Sequence, residues 1–136
     1  MDEMIPAYRG RKHVVLVADD DLQILALVVI VLQKDGHQVL AAADGLEGLE
    51  ISRQYSGAID LVIADVQMPN LNGIDLCVRL RVERPGIKAF VMSGADASAD
   101  AAERAELPFL PKPFGIRALL ARVRSVLADS IQSPIQ

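Results

Sequence analysis

The chain predicts an α/β protein built on a parallel sheet with helices on both faces. Two observations carry this. Short apolar, strand-like runs alternate five times with longer helix-like stretches, and the connections between them are short, the pattern of a covered parallel sheet. The chain has 136 residues, about half of them apolar (51%), enough for the core of one domain. Only 4% are aromatic, so that core is expected to be Val, Leu, Ile and Ala.

Residues 1–12 are mixed and polar, and are expected to be a loose N-terminal arm before a domain spanning 13–128. Val14 to Ala18 is a short β-branched strand. Leu22 to Lys34 has helix length, and Asp35-Gly36 supplies its stop. His37 to Ala42 is the second strand. Asp44 caps the next helix, with Glu47 three residues on to complete a capping box. That helix carries Leu46, Leu49 and Ile51 and fades between Gln54 and Gly57. The third strand, Leu61 to Ala64, ends on Asp65. Met68 to Gly73 is a turn-rich loop. A helix with apolar Ile74, Cys77, Val78 and Leu80 follows and stops before Pro85-Gly86. Lys88 to Met92 is the fourth strand, ending on Ser93-Gly94. Ala97 to Glu106 is a weak, alanine-rich helix, and Leu107-Pro108 should break it early. Phe109-Leu110 is a very short fifth strand running into Lys112-Pro113. In the last helix Ile116, Leu119, Leu120, Val123, Val126 and Leu127 keep helical spacing, and 129–136 is expected to be a frayed tail.

Composition narrows the function. A net charge of −4 and no basic patch with interleaved aromatics argue against nucleic acid as a partner. The longest apolar run, Ile24 to Leu32, is half what a membrane helix needs, and the N-terminus lacks a secretory apolar stretch. The single cysteine, Cys77, excludes an internal disulfide and fits a reducing, cytoplasmic setting.

In open α/β sheets the working groups gather beyond the carboxyl ends of the strands. Here those ends carry Asp19, Asp20 and Asp21 after strand one, Asp65 after strand three, Ser93 after strand four and Lys112 after strand five. Clustered carboxylates repel unless a cation joins them, and hard oxygen ligands favour Mg²⁺ or Ca²⁺ over zinc. Asp19 and Asp20, with Asp65, can hold such an ion. Asp65 can act as a carboxylate nucleophile that takes a phosphoryl group. Ser93 and Lys112 can donate to phosphoryl oxygens, Lys112 as a point charge.

The segments VVLVADDD, DLVIADVQMPNLNG, FVMSG and FLPKPF, in this order and spacing, resemble the receiver domains of bacterial two-component response regulators. The likeness runs from about His13 to Leu127 and is most similar to receivers of hybrid sensor kinases and their free-standing relatives. It implies a flavodoxin-like (βα)5 fold with strand order 2-1-3-4-5. It implies that Asp65 accepts a phosphoryl group from a phosphohistidine on a sensor histidine kinase or histidine phosphotransfer protein. Mg²⁺ (or Mn²⁺) would be bound through the side chains of Asp20 and Asp65, through water by Asp19, and through the backbone carbonyl of Gln67. Ser93 would be the switch hydroxyl and Phe109 the switch aromatic, with a cis Lys112-Pro113 bond. Homodimerisation is left open, and no output domain is visible in the chain.

Several features depart from the common pattern. The stretch from Ser93 to Lys112 is short, so the fourth helix should be short too. Phe109 lacks the hydroxyl of the common tyrosine. In the first helix Leu22, Ala26, Val29 and Gln33 form a face on the solvent side if the core takes Ile24, Leu27, Val28 and Val31. Leu22, Ala26 and Val29 are therefore expected to dock a partner. Gln67 and Ala95, two residues past Asp65 and Ser93, are expected to set the lifetime of the acyl phosphate. Asp21 is expected to begin the first helix. Asp44 and Asp60 are expected to cap or turn, Asp75 and Asp96 to be solvated, and Cys77, His13, His37 and Met68 to be structural. Gly73 is expected to permit a close backbone approach.

Two other functions compete. A haloacid-dehalogenase-type phosphatase needs a second aspartate two residues after its nucleophile, where this chain has Gln67. A module that binds partners without phosphorylation would not need every acceptor position filled. A dinucleotide or flavin site would need a glycine- or hydroxyl-rich loop where three carboxylates stand.

Overall fold

The computed structural model describes residues 13–95 and 97–132. Five strands, β1 (Val14–Ala18), β2 (Gln38–Ala42), β3 (Leu61–Asp65), β4 (Lys88–Ser93) and β5 (Phe109–Pro111), form one parallel sheet in the order 2-1-3-4-5. Five helices connect and follow them: α1 (Leu22–Lys34), α2 (Gly45–Gln54), α3 (Gly73–Glu83), α4 (Ala97–Arg104) and α5 (Ile116–Gln132). This is the flavodoxin-like arrangement expected. The predicted boundaries differ by a residue or two, mostly at strand ends, and α5 continues past the expected limit at 128.

The period-two alternation of each central strand feeds two separate cores. Leu16, Val62 and Val91 face the layer that also holds Leu49, Leu76 and Leu80. Val15, Val17, Ile63 and Phe90 face the layer that holds Val28, Leu32, Leu119 and Val123. Strands buried on both sides must be apolar along their interiors, which is why β1 reads as a continuous apolar run and β3 and β4 carry polar residues only at their ends.

Local chemistry ends the helices where the sequence indicates. Asp21 caps α1 by accepting from Gln23 N and Ile24 N. At its other end His37 N donates to Leu32 O and Gly36 N to Gln33 O, with Gly36 in the left-handed region at φ 96°. Asp44 caps α2 and accepts from Glu47 N, while the Glu47 carboxylate accepts from Ala43 N, one residue before the cap. Asn72, read only as loop, caps α3 through Asp75 N.

Helix α4 is short, as expected, and its end is built by two devices. Leu107 N donates to Ala102 O and Glu106 N to Glu103 O, with Glu106 at φ 59°. The Arg81 guanidinium on α3 then takes the carbonyls of Ala105 and Glu106 at 2.8 and 2.7 Å.

Helix α1 corrects the sequence reading. It is apolar nearly all round, so periodicity cannot fix which side faces the sheet. Val28, Val31 and Leu32 are buried, with Ile24 and Leu25 half-buried. At about 100° per residue, Leu27 and Val29 fall at opposite flanks of a face centred on Val28. Leu27, expected in the core, is 44% exposed, and Val29, expected outside, is half-buried. Leu22 at 65%, Ala26, and Ile30 at 51% form the outer face. On α3, Val78 is exposed and Leu76 takes the buried place beside Cys77 and Leu80. No helix among the described residues is long and apolar enough to cross a membrane.

Candidate functional site

Strand register assembles the site. Ala18 pairs with Ala64, so Asp19 and Asp65 leave neighbouring strands side by side. Asp65 pairs with Met92, which puts Ser93 one step beyond. Ser93 pairs with Pro111, which puts Lys112 one step further. Side chains spread over the sequence thus meet at the carboxyl edge of one sheet, at the point where the strand order reverses.

Asp19 is fully buried and Asp65 nearly so, while Asp20 is exposed. Carboxylate oxygens of Asp19, Asp20 and Asp65 lie within 4.8 Å of one another, the sole such acidic or metal-ligating group among the described residues. Three oxygens that close, two of them from buried groups, form a donor set that suits a hard divalent cation. Lys112 Nζ bridges two of them, 3.1 Å from Asp19 Oδ2 and 3.2 Å from Asp65 Oδ1. Burial, then the charge of Asp19, pushes the Asp65 carboxyl up, against the pull of Lys112. Burial alone would lower the Lys112 ammonium, but its bonds and attraction to Asp19 and Asp65 win and raise it.

Asp19 Oδ1 also accepts from Asp21 N at 2.9 Å, which fixes its carboxylate. Asp21 itself turns to the helix start and stands outside the acidic group. Gly73 lets the loop after Asp65 fold back: its N–H donates to Val66 O, and a Cβ there would run into the Asp65 carbonyl. Met68 is buried and Gln67 exposed. The Lys112-Pro113 bond is cis, as expected. Phe109 is half-buried and packs against the core, and its carbonyl accepts from Arg122.

Other singled-out residues are structural. Asp60 accepts from Val14 N at 2.8 Å and anchors the start of β1. Asp44 accepts from Asn70 besides capping α2. Cys77 is fully buried, and burial pushes its thiol up to about 12, so it stays a thiol. His13 and His37, distant in sequence, bring their rings to 5.6 Å of one another at the opposite end of β1 and β2. Asp96 lies outside the described residues.

Arg84 and Ser98, like Asn72 and Arg81, escaped sequence reasoning. Arg84 ties the end of α2 to α3 through Ser52, Tyr55 O and Gly57 O, a hub that no pattern announces. Ser98 is buried and hydrogen-bonds to Ser93. Its place in an alanine-rich helix, five residues on, gave no signal.

Known proteins share this fold. The family described as response regulator receiver domain matches residues 15–124. An alkaline phosphatase synthesis transcriptional regulatory protein, SphR, of Synechococcus elongatus is 35% identical over 98% of the chain and 56% of its own length. The sensor kinase CckA of Brucella abortus is 38% identical over 87% of the chain, but only 13% of that protein. Among solved structures, a response regulator receiver domain protein from Clostridium thermocellum superposes with a TM-score of 0.79 at 28% identity, covering 88% of this chain and 97% of that one. The chain spans about half the length of SphR.

Proposed function

We propose, since the chain belongs to the family of response regulator receiver domains, that it is a signalling switch that takes a phosphoryl group on Asp65. The observation that carries this is the convergence of Asp19, Asp65 and Lys112, with one ammonium in reach of both buried carboxylates. The donor would be a phosphohistidine on a sensor kinase or a histidine phosphotransfer protein. In the transfer the phosphorus–nitrogen bond breaks and a phosphorus–oxygen bond to the Asp65 carboxylate forms.

Asp20 and Asp65 would hold Mg²⁺ directly, Asp19 through water, and Gln67 through its backbone carbonyl. When bound, the ion supplies charge neutralisation for the phosphoryl oxygens. The chain's own residues do the rest. Asp65, at the strand end, presents a fixed oxygen in a nearly dry site. Lys112, already poised on Asp65, stays beside the charge that builds on the phosphoryl oxygens. Ser93 then donates to a phosphoryl oxygen, and Phe109, half-buried, changes its burial in response.

The outer face of α1 is the docking surface in this reading. It keeps Leu22 and Ala26 from the sequence and replaces the half-buried Val29 with Ile30.

The test is incubation with Mg²⁺ and acetyl phosphate, followed by intact mass. The expected result is a gain of a single phosphoryl group, lost in Asp65→Asn and in the presence of a chelator. Phosphorylation that survives Asp65→Asn would place the acceptor elsewhere. Repeated turnover of unrelated phosphate esters would make the protein a phosphatase.

A further inference from the structure

Ser93 is buried at the end of β4, and its hydroxyl both donates and accepts. Its oxygen accepts from Ala95 N at 3.0 Å and lies 3.1 Å from Ser98 Oγ. Ser98 is buried too, in the first turn of α4, with its own N–H donating to Ala95 O. A hydroxyl has one proton to give. The bond between the two serines runs from the Ser93 hydroxyl to Ser98 Oγ, so the Ser93 proton is committed to Ser98. That is the same proton a phosphoryl oxygen on Asp65 would require.

We propose that Ser98 is a positioning residue that latches Ser93 toward α4, so that phosphorylation of Asp65 must break the Ser93–Ser98 hydrogen bond. The proposal rests on the reading of Asp65 as acceptor and Ser93 as the responding hydroxyl. Two consequences follow from the burial of both hydroxyls. The latch resists activation, because it must be broken without bulk water at hand to replace it. It also carries the signal: once Ser93 turns away, Ser98 is left with a buried hydroxyl lacking that partner. The cost of that state favours a shift of the first turn of α4. The acceptor site is thereby tied to a helix that contributes no residue to it.

Beryllium fluoride, a phosphoryl mimic, tests this on the full chain with Mg²⁺, read by NMR titration of the Ser93 and Gly94 amides. Ser98→Ala is expected to lower the half-saturating concentration about threefold to tenfold, the worth of one neutral hydrogen bond. Ser98→Cys, which keeps the volume and weakens the bond, should shift it the same way. Ser98→Thr, which keeps the hydroxyl, should stay close to the parent. In a Ser93→Ala background, Ser98→Ala should have no effect, because the bond is already gone. An unmoved or raised midpoint in Ser98→Ala overturns the latch, as does an equal shift in the Ser93→Ala background. If the parent protein takes up no beryllium fluoride, or Asp65→Asn takes it up equally, the acceptor-site reading falls and the latch with it.

Discussion

The Lys112 ammonium lies 3.2 Å from Asp65 Oδ1, although the two residues come from strands separated in the sheet by β4. The cation is therefore in place before any phosphoryl group arrives. Replacing Lys112 with Met removes that charge and leaves Asp19 and Asp65 facing each other. Phosphorylation by acetyl phosphate should slow by about 10² to 10³, the usual loss for one preorganised electrostatic donor. Lys112→Arg keeps the charge in a planar fork that suits a point contact poorly, and should fall between. Initial rates by intact mass decide it. A Lys112→Met rate within about twofold of the parent would remove the residue from the mechanism.

Gly73 should tolerate no side chain. Two effects oppose each other in Gly73→Ala. Alanine gains up to about 1 kcal/mol as a helix former. Its Cβ, however, meets the backbone carbonyl of Asp65, which cannot rotate aside as a side chain would. Overpacking of this kind costs about 1–3 kcal/mol, so destabilisation should win. The expected result is a lower Tm together with slower phosphorylation, since the displaced group belongs to the acceptor itself. A Tm equal to or above the parent's would show that the loop can move away freely.

The parallel sheet and the residues at its carboxyl edge were legible because they rest on features that sequence records directly, whereas the strand order came from the resemblance to receiver domains. Five apolar runs, four of them ending on a polar group, suffice to place Asp19, Asp65, Ser93 and Lys112 together once the topology is granted. Two things were less legible. The facing of α1 was misjudged at Leu27 and Val29 because a helix apolar on all sides has no phase to read. The Ser93–Ser98 bond and the Arg81 and Arg84 clasps were invisible because each depends on where a side chain ends in three dimensions. A capping aspartate announces itself by position, whereas an arginine reaching carbonyls 24 and 25 residues away does not.

Gln67 stands two residues past Asp65, beyond the end of β3, and is exposed. Hydrolysis of an acyl phosphate needs a water aligned with the phosphorus–oxygen bond, and a side-chain amide can hold one. Ala95, two past Ser93, is small and on this reading would leave room for it. Gln67→Ala should therefore lengthen the phosphoryl lifetime, by a factor of about 5 if one hydrogen bond to water is lost. The rate of phosphorylation should change little. The decay of the phosphorylated mass after removal of acetyl phosphate is the measurement, and an unchanged decay rate would refute the role.

The outer face of α1 separates docking from chemistry. Leu22, Ala26 and Ile30 are exposed apolar residues on one side of a single helix, and none of them contributes to the sheet-facing core. An apolar strip held in water is favourable only when something covers it, and about 25 cal/mol is gained for each Å² so covered. Ala26→Glu together with Ile30→Glu places two carboxylates in that strip without touching Val28, Val31 or Leu32. Folding should survive, since exposed substitutions typically alter stability by no more than about 0.5 kcal/mol. Transfer from a phosphohistidine protein should drop by about tenfold or more, because burying an unpaired charge against an apolar partner is strongly unfavourable. Phosphorylation by acetyl phosphate, which needs no docking, should match the parent. The contrast between the two donors is the decisive quantity. Equal loss with both would mean that the substitutions disturb the acceptor site through the fold. Equal retention with both would mean that the partner binds elsewhere.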